Sequence, residues 1–262
     1  PSIRAAHGVL QRLEDLRFPT VAAINGYCLG GGLELAMACR HRVCADDPKV
    51  TLGLPEVMLG IHPGFGGTVR AVQLMGVAMA MDLMLTGKIL RPDKALRTGL
   101  VDEIVPAEQL RDAAKKLALR PRKRRKAPLS QRVLNLPIVR GLVAGKIESQ
   151  VRGRARREHY PAPYAIVDLW RRHGASPRSG YEAEAQSVAR LVCTATSRNL
   201  VRVFFLQERL KGLGGKEPPA GGHVHVVGAG VMGGDIAAWC ALRGFTVTLQ
   251  DRSTELVQPA LD

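Results

Sequence analysis

The chain has 262 residues, 46% of them apolar, which is enough for one or two domains with a buried core. Only 4% of the residues are aromatic, which argues against a nucleic-acid binder built on stacking platforms, although the net charge is +15. No apolar run reaches the roughly 18 residues of a membrane-spanning helix, so the sequence predicts no membrane span.

The predicted elements alternate between helix, strand and turn along the first half of the chain. Helices are predicted over residues 3–17, 33–42, 69–85 and 110–119, and strands over 21–24, 43–45 and 50–52. This alternation is typical of parallel βαβ units, so we expect an α/β protein.

Two glycine-built turns and two carboxylates stand out in the stretch 20–70. Three glycines at 30–32 precede a predicted helix whose first turn holds Glu34, and Glu56 follows 22 residues later. Backbone N–H groups at such a helix entrance can approach an oxygen closely and stabilise negative charge. The arrangement suits a reaction that needs a base, an acid and an oxyanion hole. The alternative is that both carboxylates only complement a local helix dipole.

Four ordered segments carry a resemblance to a known family. Residues 22–27, 30–36, 53–56 and 60–68 read AAINGY, GGGLELA, GLPE and GIHPGFGGT. This series resembles the crotonase family, and most closely the enoyl-CoA hydratase half of multifunctional fatty-acid oxidation α-subunits. The resemblance implies a partial crotonase-type spiral ββα domain, catalytic roles for Glu34 and Glu56, and an oxyanion-hole amide at Gly31. We expect His62, in the last segment, to pack in a turn as a neutral ring rather than to react.

The resemblance also implies a substrate and partners. The substrate would be a coenzyme A thioester, with trans-2-enoyl-CoA hydrated to 3-hydroxyacyl-CoA in fatty-acid β-oxidation. An enoyl-CoA isomerase remains an alternative within the family. The expected partner is a thiolase β-subunit, in the cytoplasm of a bacterium or at the mitochondrial matrix and inner membrane of a eukaryote.

Neither end of the chain looks natural, since it opens at Pro1 without a Met and stops at Asp262 inside a motif. We therefore expect an internal fragment. In the resembling family a second oxyanion-hole amide comes from an earlier loop, which would precede Pro1. The resemblance leaves open whether this chain alone is active.

The middle of the chain is strongly basic. Between Arg111 and Tyr160 there are 16 Lys and Arg residues against three acids, and the charge peaks at 120–126. A solvated face is the plainest explanation. Contact with an acidic partner or an anionic membrane surface, and steering of CoA phosphates, remain open. The lack of a reading motif beside the charge argues against nucleic acid as a partner. A non-enzymatic basic interaction module is the rival function.

Helical patterns continue over 165–172 and 187–210, and a Gly- and Pro-containing linker is predicted over 212–222. The segments HYPAP at 159–163 and SGYEAE at 179–184 resemble the linker region of the same multifunctional family. The predicted domains are a crotonase-like domain over 1–110, a basic helical region over 111–216 and a truncated Rossmann domain over 217–262.

The second motif lies near the end of the chain. A predicted strand at 223–227 leads into GAGVMG, with glycines Gly228, Gly230 and Gly233, then a helix over 235–243 and a strand over 245–249. Asp251 follows Gly230 by 21 residues, which is the spacing of a dinucleotide-binding unit. The glycines would admit the pyrophosphate of NAD, and the acid would bind a ribose hydroxyl and repel the extra phosphate of NADP. A tight turn without a ligand is the alternative.

This segment also resembles the start of a 3-hydroxyacyl-CoA dehydrogenase domain, whose catalytic residues would follow Asp262. The five cysteines show no paired spacing and lie in apolar runs: Cys28, Cys39, Cys44, Cys193 and Cys240. We expect reduced, buried thiols and no metal site.

Overall fold

The computed structural model describes residues 2–213 and 222–261. The chain divides into two compact units, Pro1–Phe205 and Leu206–Asp262. The boundary predicted after residue 110 stays a prediction. The boundary predicted after residue 216, and most of the linker predicted over 212–222, lie outside the described residues.

The first unit contains two small sheets. Strands β1–β6 span Val21–Ile24, Tyr27–Leu29, His41–Ala45, Thr51–Gly53, Ile89–Leu90 and Glu103–Val105. One sheet has the order β1-β3-β6 and is parallel, and the other has the order β2-β4-β5, with β4 parallel to β2 and antiparallel to β5. The first four strands alternate between the two sheets, so the chain winds as a ββα spiral.

Helices surround these sheets. Helices α1–α6 span Ser2–Glu14, Gly31–Ala38, Gly67–Met75, Val77–Thr86, Pro92–Thr98 and Leu110–Leu119. Helices α7–α11 span Leu129–Val133, Pro137–Arg152, Pro161–His173, Pro177–Val192 and Ala195–Leu213. Short 3₁₀ turns occupy Pro55–Leu59 and Ala107–Gln109. The core lies among α2, the strands, α3 and α4, and it extends to the buried Trp170 of α9.

Two helices predicted as continuous are broken. The helix predicted over 69–85 is interrupted at Gly76, which has a φ of 85° and separates α3 from α4. Likewise the pattern over 187–210 breaks after Val192, where Thr194 accepts the Ser197 N–H at 3.1 Å through its hydroxyl. Apolar spacing runs through both breaks, which is why it did not reveal them.

The predicted helix over 33–42 was too long. Helix α2 ends at Ala38, and residues 41 and 42 already belong to strand β3. Arg42 is fully buried there, and its guanidinium reaches Asp102 at 3.1 Å. Pairing of β3 with strands on both sides therefore outweighs the helical propensity of these residues.

The second unit contains a parallel two-stranded unit. Strand β7 spans His223–Val227, helix α12 spans Val231–Leu242, and strand β8 spans Thr246–Gln250. A short helix α13, Thr254–Val257, and a 3₁₀ turn, Gln258–Ala260, follow. The strands pair in parallel over five residues each. The helix begins four residues before the predicted start, inside the glycine motif and directly after Gly230.

The cysteines are only partly as expected. All five are free, and Cys28, Cys39 and Cys44 are buried, but Cys193 is exposed and Cys240 is partly exposed. Within residues 2–213 and 222–261, no helix is long and apolar enough to cross a membrane. Over the same ranges, no group of three or more His, Cys, Asp or Glu side chains is arranged to hold a metal ion.

Candidate active site

Glu34 lies in the first turn of α2 and is almost completely buried, with 2% of its surface exposed. Its Oε1 accepts hydrogen bonds from the backbone N–H groups of Phe65 and Gly67, both at 2.7 Å. These amides belong to the turn that opens α3, where Gly66 has a φ of 98°. The left-handed glycine turns the backbone so that neighbouring N–H groups point at the carboxylate.

Glu56 lies in the 3₁₀ turn that follows β4. Both of its carboxyl oxygens are buried and have no hydrogen-bond partner among the described residues. A Cβ added at Gly30 would lie 3.2 Å from its Oε1, so the carboxyl rests against the first glycine of the run. A buried carboxyl without partners is costly to a fold, which marks Glu56 as a candidate for a chemical task.

The two carboxyl groups have pKa values close to neutrality. Burial, followed by the charges of Glu184 and Glu56, raises the pKa of Glu34 to about 8, against the lowering effect of its two backbone hydrogen bonds. Burial is also the largest cause that raises the pKa of Glu56 to about 7. Carboxyls tuned in this way can both take and give a proton near neutral pH.

Gly31 opens α2, beside the two carboxyls. The first hydrogen bond of this helix runs from the Glu34 N–H to the Gly30 carbonyl, so the Gly31 N–H precedes the bonded part of the helix. A Cβ added at Gly31 would lie 3.2 Å from two carbons of the Phe65 ring. The predicted residues Glu34, Glu56 and Gly31 are thus brought to one place, with the helix-entrance amide of Gly31 beside two carboxyls.

A third glutamate, Glu184 of α10, was not predicted at this site. It is fully buried, and it accepts hydrogen bonds from the backbone N–H groups of Gly66 at 2.5 Å and Thr68 at 3.0 Å. Its charge also raises the pKa of both other glutamates. No local pattern signals this contact, because 116 to 118 residues separate the partners. The only signal was the resemblance of the segment 179–184.

His62 lies in the same region and is packed as expected. The ring is fully buried, its Nδ1 donates to the Pro63 carbonyl at 2.7 Å, and its Nε2 accepts from the Ser187 hydroxyl at 2.8 Å. Burial lowers the pKa of His62 below its ordinary value, which keeps the ring neutral.

The glycine motif of the second unit forms a tight turn between β7 and α12. Gly228 has a φ of 102°, a conformation that strains any residue with a side chain. A Cβ added at Gly233 would lie 1.7 Å from the carbonyl oxygen of Gly228, so this position does not accept a side chain either. No atom lies within 4 Å of a Cβ added at Gly230, which leaves open space at the start of α12. Asp251 follows β8, and its carboxylate accepts the Ala229 N–H at 2.7 Å.

Part of the basic run is used within the first unit. Arg124 pairs with Glu14, Arg122 pairs with Glu103 at 2.9 Å, and Arg125 donates to a backbone carbonyl. These contacts hold the segment 122–125 against residues of the first unit. The acidic-partner, membrane and coenzyme A contacts suggested for the basic region stay predictions, as does the thiolase partner.

Comparisons with known proteins agree with this geometry. Residues 4–143, more than half of the chain, match the enoyl-CoA hydratase/isomerase family. Residues 223–262 match the NAD-binding domain of 3-hydroxyacyl-CoA dehydrogenase.

Solved structures confirm the fold. An enoyl-CoA hydratase from Mycobacterium avium subsp. paratuberculosis has a TM-score of 0.54 at 17% identity, covering 78% of this chain and 70% of that one. An enoyl-CoA hydratase/isomerase from Pseudoalteromonas atlantica has a TM-score of 0.51 at 21% identity, and the match covers 76% of this chain and 66% of that one. An enoyl-CoA hydratase from Bacillus anthracis is 27% identical, with a TM-score of 0.43, covering 80% of this chain. This chain spans only 66% of the length of the Bacillus protein. The predicted crotonase-type α/β fold with a Rossmann-like end is therefore confirmed.

Proposed function

Because the chain belongs to the enoyl-CoA hydratase/isomerase family, we propose that it adds water across the double bond of a trans-2-enoyl-CoA. The product is 3-hydroxyacyl-CoA, an intermediate of fatty-acid β-oxidation. The observation that carries this proposal is the pair of buried carboxyls, Glu34 and Glu56, whose pKa values lie at about 8 and about 7 beside the entrance of a helix.

The proposed step needs one carboxylate and one carboxylic acid. One glutamate removes a proton from water as the oxygen bonds to the β-carbon of the substrate. The electron pair of the double bond moves toward the thioester, and the other glutamate delivers a proton to the α-carbon. The Gly31 N–H stabilises the negative charge that develops on the thioester oxygen. Because the two carboxyls exchange roles when the product is dehydrated, the pair works in both directions.

We further propose that the chain comes from a multifunctional α-subunit, in which the hydrated product is oxidised with NAD. The match of residues 223–262 and the shape of the glycine motif support this. Gly228, Gly230 and Gly233 would admit the pyrophosphate at the start of α12, and Asp251 would accept a hydrogen bond from a ribose hydroxyl. NAD would supply the acceptor for the hydride of the 3-hydroxyl carbon.

Isomerisation of a 3-enoyl-CoA is the competing activity within this family. It needs a proton moved from one carbon to another and no water, so a single carboxyl is sufficient. Two buried carboxyls with similar pKa values favour hydration.

The test is to offer a trans-2-enoyl-CoA and a 3-enoyl-CoA separately and to identify the products. We expect loss of the enoyl-thioester absorbance with the first substrate, and formation of 3-hydroxyacyl-CoA. For the variants Glu34→Gln and Glu56→Gln the matched control is Glu108→Gln. It replaces an exposed glutamate that lies far along the chain from both carboxyls. Conversion of the 3-enoyl substrate alone would support an isomerase. No conversion by this chain or by the full reading frame that encodes it would contradict the proposal.

A further inference from the structure

Helix α10, Pro177–Val192, contributes no residue that touches the proposed reaction, yet one of its faces lies against the loop that follows Glu56. A Cβ added at Gly180 would lie 2.7 Å from the Val69 side chain, and one added at Gly64 would lie 3.2 Å from Val188. Between these contacts, Glu184 extends into the turn that opens α3. The face is therefore packed on residues 60–69 along its whole length.

The backbone amides of this turn are shared between two glutamates in strict alternation. Phe65 and Gly67 donate their N–H groups to Glu34, both at 2.7 Å. Gly66 and Thr68, which alternate with them along the chain, donate their N–H groups to Glu184. Because consecutive N–H groups of one turn point to opposite carboxylates, the turn cannot move toward one glutamate without stretching its bonds to the other.

Glu184 is held more firmly than Glu34. Its Oε1 faces the Gly66 N–H and Nε2 of His7 at 2.9 Å, and its Oε2 faces the N–H and hydroxyl of Thr68. Glu184 thus has four hydrogen-bond partners at its two oxygens, whereas Glu34 accepts two backbone hydrogen bonds at one oxygen and Glu56 has no hydrogen-bond partner among the described residues.

The charged and titratable groups around Glu184 come from every element packed on it. They are His7 and Glu14 of α1, Glu34 of α2, Glu56 of the 3₁₀ turn, His62 of the loop, Arg70 of α3, and Tyr181 and Arg190 of α10. Of these, His7 contacts the carboxylate directly, and Arg70 is occupied by Glu14 at 3.1 Å and by the Tyr181 ring. The charge of Glu184 acts on Glu34 and Glu56, and also on His62 and Tyr181.

We propose that Glu184 is a positioning residue for the acyl-CoA reaction: it binds the N–H groups of Gly66 and Thr68 and so fixes the two neighbouring N–H groups that orient Glu34. Its charge also raises the pKa of Glu34. This rests on the proposed hydration. It assigns a role in the active site to a helix that lies outside the matched stretch 4–143.

The test is a pH titration of the Phe65 and Gly67 amide signals by NMR in the wild-type chain, Glu184→Gln and Glu182→Gln. In the wild type both signals should inflect near pH 8, because Glu34 has a pKa of about 8. Removal of the Glu184 charge should move the inflection to lower pH, since that charge raises the pKa of Glu34. The matched control Glu182→Gln removes an exposed acid two residues away on the same helix, one that pairs with Arg4, and should leave the inflection unchanged.

The same variants are then assayed for hydration. Misplacement of a reacting group by about 1 Å can cost roughly 10²-fold in rate, so we expect Glu184→Gln to lower kcat by about ten- to a hundredfold with KM little changed. The alkaline limb of its pH profile, which follows the pKa of Glu34, should move in the same direction as the amide inflection. A purely structural role would lower the amount of folded protein and leave both the limb and the inflection in place.

Thr68→Val provides a second variant, because it keeps the Glu184 charge and removes only one of its four donors. We expect a several-fold lower kcat and an unchanged inflection, and an unchanged kcat would contradict the positioning role even if Glu184→Gln does not fold. An inflection at the same pH in Glu184→Gln and wild type would overturn the inference. The titration reads Glu34 whether or not the chain hydrates an enoyl-CoA, so failure of the proposed function and failure of this inference are distinguishable.

Discussion

The two units use the same backbone device for opposite electrostatic purposes. In each, a glycine-rich turn opens a helix beside a carboxylate. In the first unit burial is the largest cause that raises the pKa of Glu34 to about 8 and of Glu56 to about 7. In the second unit the backbone hydrogen bond from Ala229 is the largest cause that lowers the pKa of Asp251 below its ordinary value.

The difference is access to water. Glu34 is 2% exposed and Glu56 has both oxygens buried, whereas Asp251 is reached by solvent and bonded to two backbone amides. A carboxyl that is shielded from water has a raised pKa and exchanges its proton near neutral pH. A solvent-exposed carboxylate that accepts amide hydrogen bonds has a lowered pKa and stays charged. The first arrangement suits proton transfer and the second suits a hydrogen bond to a ligand hydroxyl. Four predictions test this contrast.

The largest effect is expected from the proton-transferring pair. Glu34→Gln and Glu56→Gln should each lower the hydration rate by about 10²–10⁴-fold, because an amide cannot exchange the proton. The rate of loss of enoyl-thioester absorbance measures this, with Glu108→Gln as the surface control. Normal hydration by either variant would remove that glutamate from the mechanism.

The next effect concerns the geometry of Glu34. In Gly67→Ala the new Cβ would lie 2.7 Å from Glu34 Oε1 and equally close to Pro63, so the carboxyl must move. We expect about a 10²-fold loss of kcat, the usual cost of a displaced reacting group. Gly8→Ala, at an exposed position of α1 with no atom within 4 Å of the added Cβ, should keep full activity and gain stability. Equal kcat values for the two variants would contradict the tight fit at Gly67.

The third effect is a dependence of stability on pH. The pKa of Glu56 rises from an ordinary 4.5 to about 7 on folding, so its contribution is fully present below pH 4.5 and is lost as pH rises through 7. Glu56→Gln does not titrate. Between pH 5 and pH 8 the free energy of unfolding of the wild type should therefore fall by about 2–3 kcal/mol relative to that of Glu56→Gln. Urea denaturation at both pH values measures this fall, and a difference that is constant with pH would show that Glu56 is not destabilised by its charge.

The smallest effect concerns the hydrated carboxylate. Asp251→Asn should weaken NADH binding by about tenfold, because a charge-assisted hydrogen bond is lost. It should also reduce the ratio of the affinity for NADH to the affinity for NADPH. Fluorescence titration of NADH and NADPH measures both. Glu255→Gln, which changes another solvent-exposed acid of the same unit, is the control. An unchanged ratio of the two affinities would contradict the role of Asp251.

Sequence reasoning succeeded where the signal was local. The strands Val21–Ile24 and His223–Val227 were predicted with their observed bounds, because a short apolar run and a strict alternation each end at a glycine-containing turn. The positions of Glu34, Glu56 and Gly31 came from the ordered crotonase-like segments, and the structure brings all three together.

What could not be predicted depends on distant contacts. Glu184 reaches Gly66 across 118 residues, and neither partner has a local pattern that indicates the other. Arg42 was assigned to a helix by its neighbours, but the strands on both sides of β3 and the buried Asp102 contact decide its conformation. The break at Gly76 was missed because the helical apolar spacing continues through a position whose φ is 85°.

The most direct test of the account is the rate of hydration of a short trans-2-enoyl-CoA between pH 5 and pH 10. Two buried carboxyls with pKa values of about 7 and about 8 predict a rate that rises and then falls, with both limbs between about pH 6 and pH 9. A rate that stays level across this range, or that rises tenfold with each pH unit as hydroxide does, would contradict the carboxyl pair as the source of catalysis.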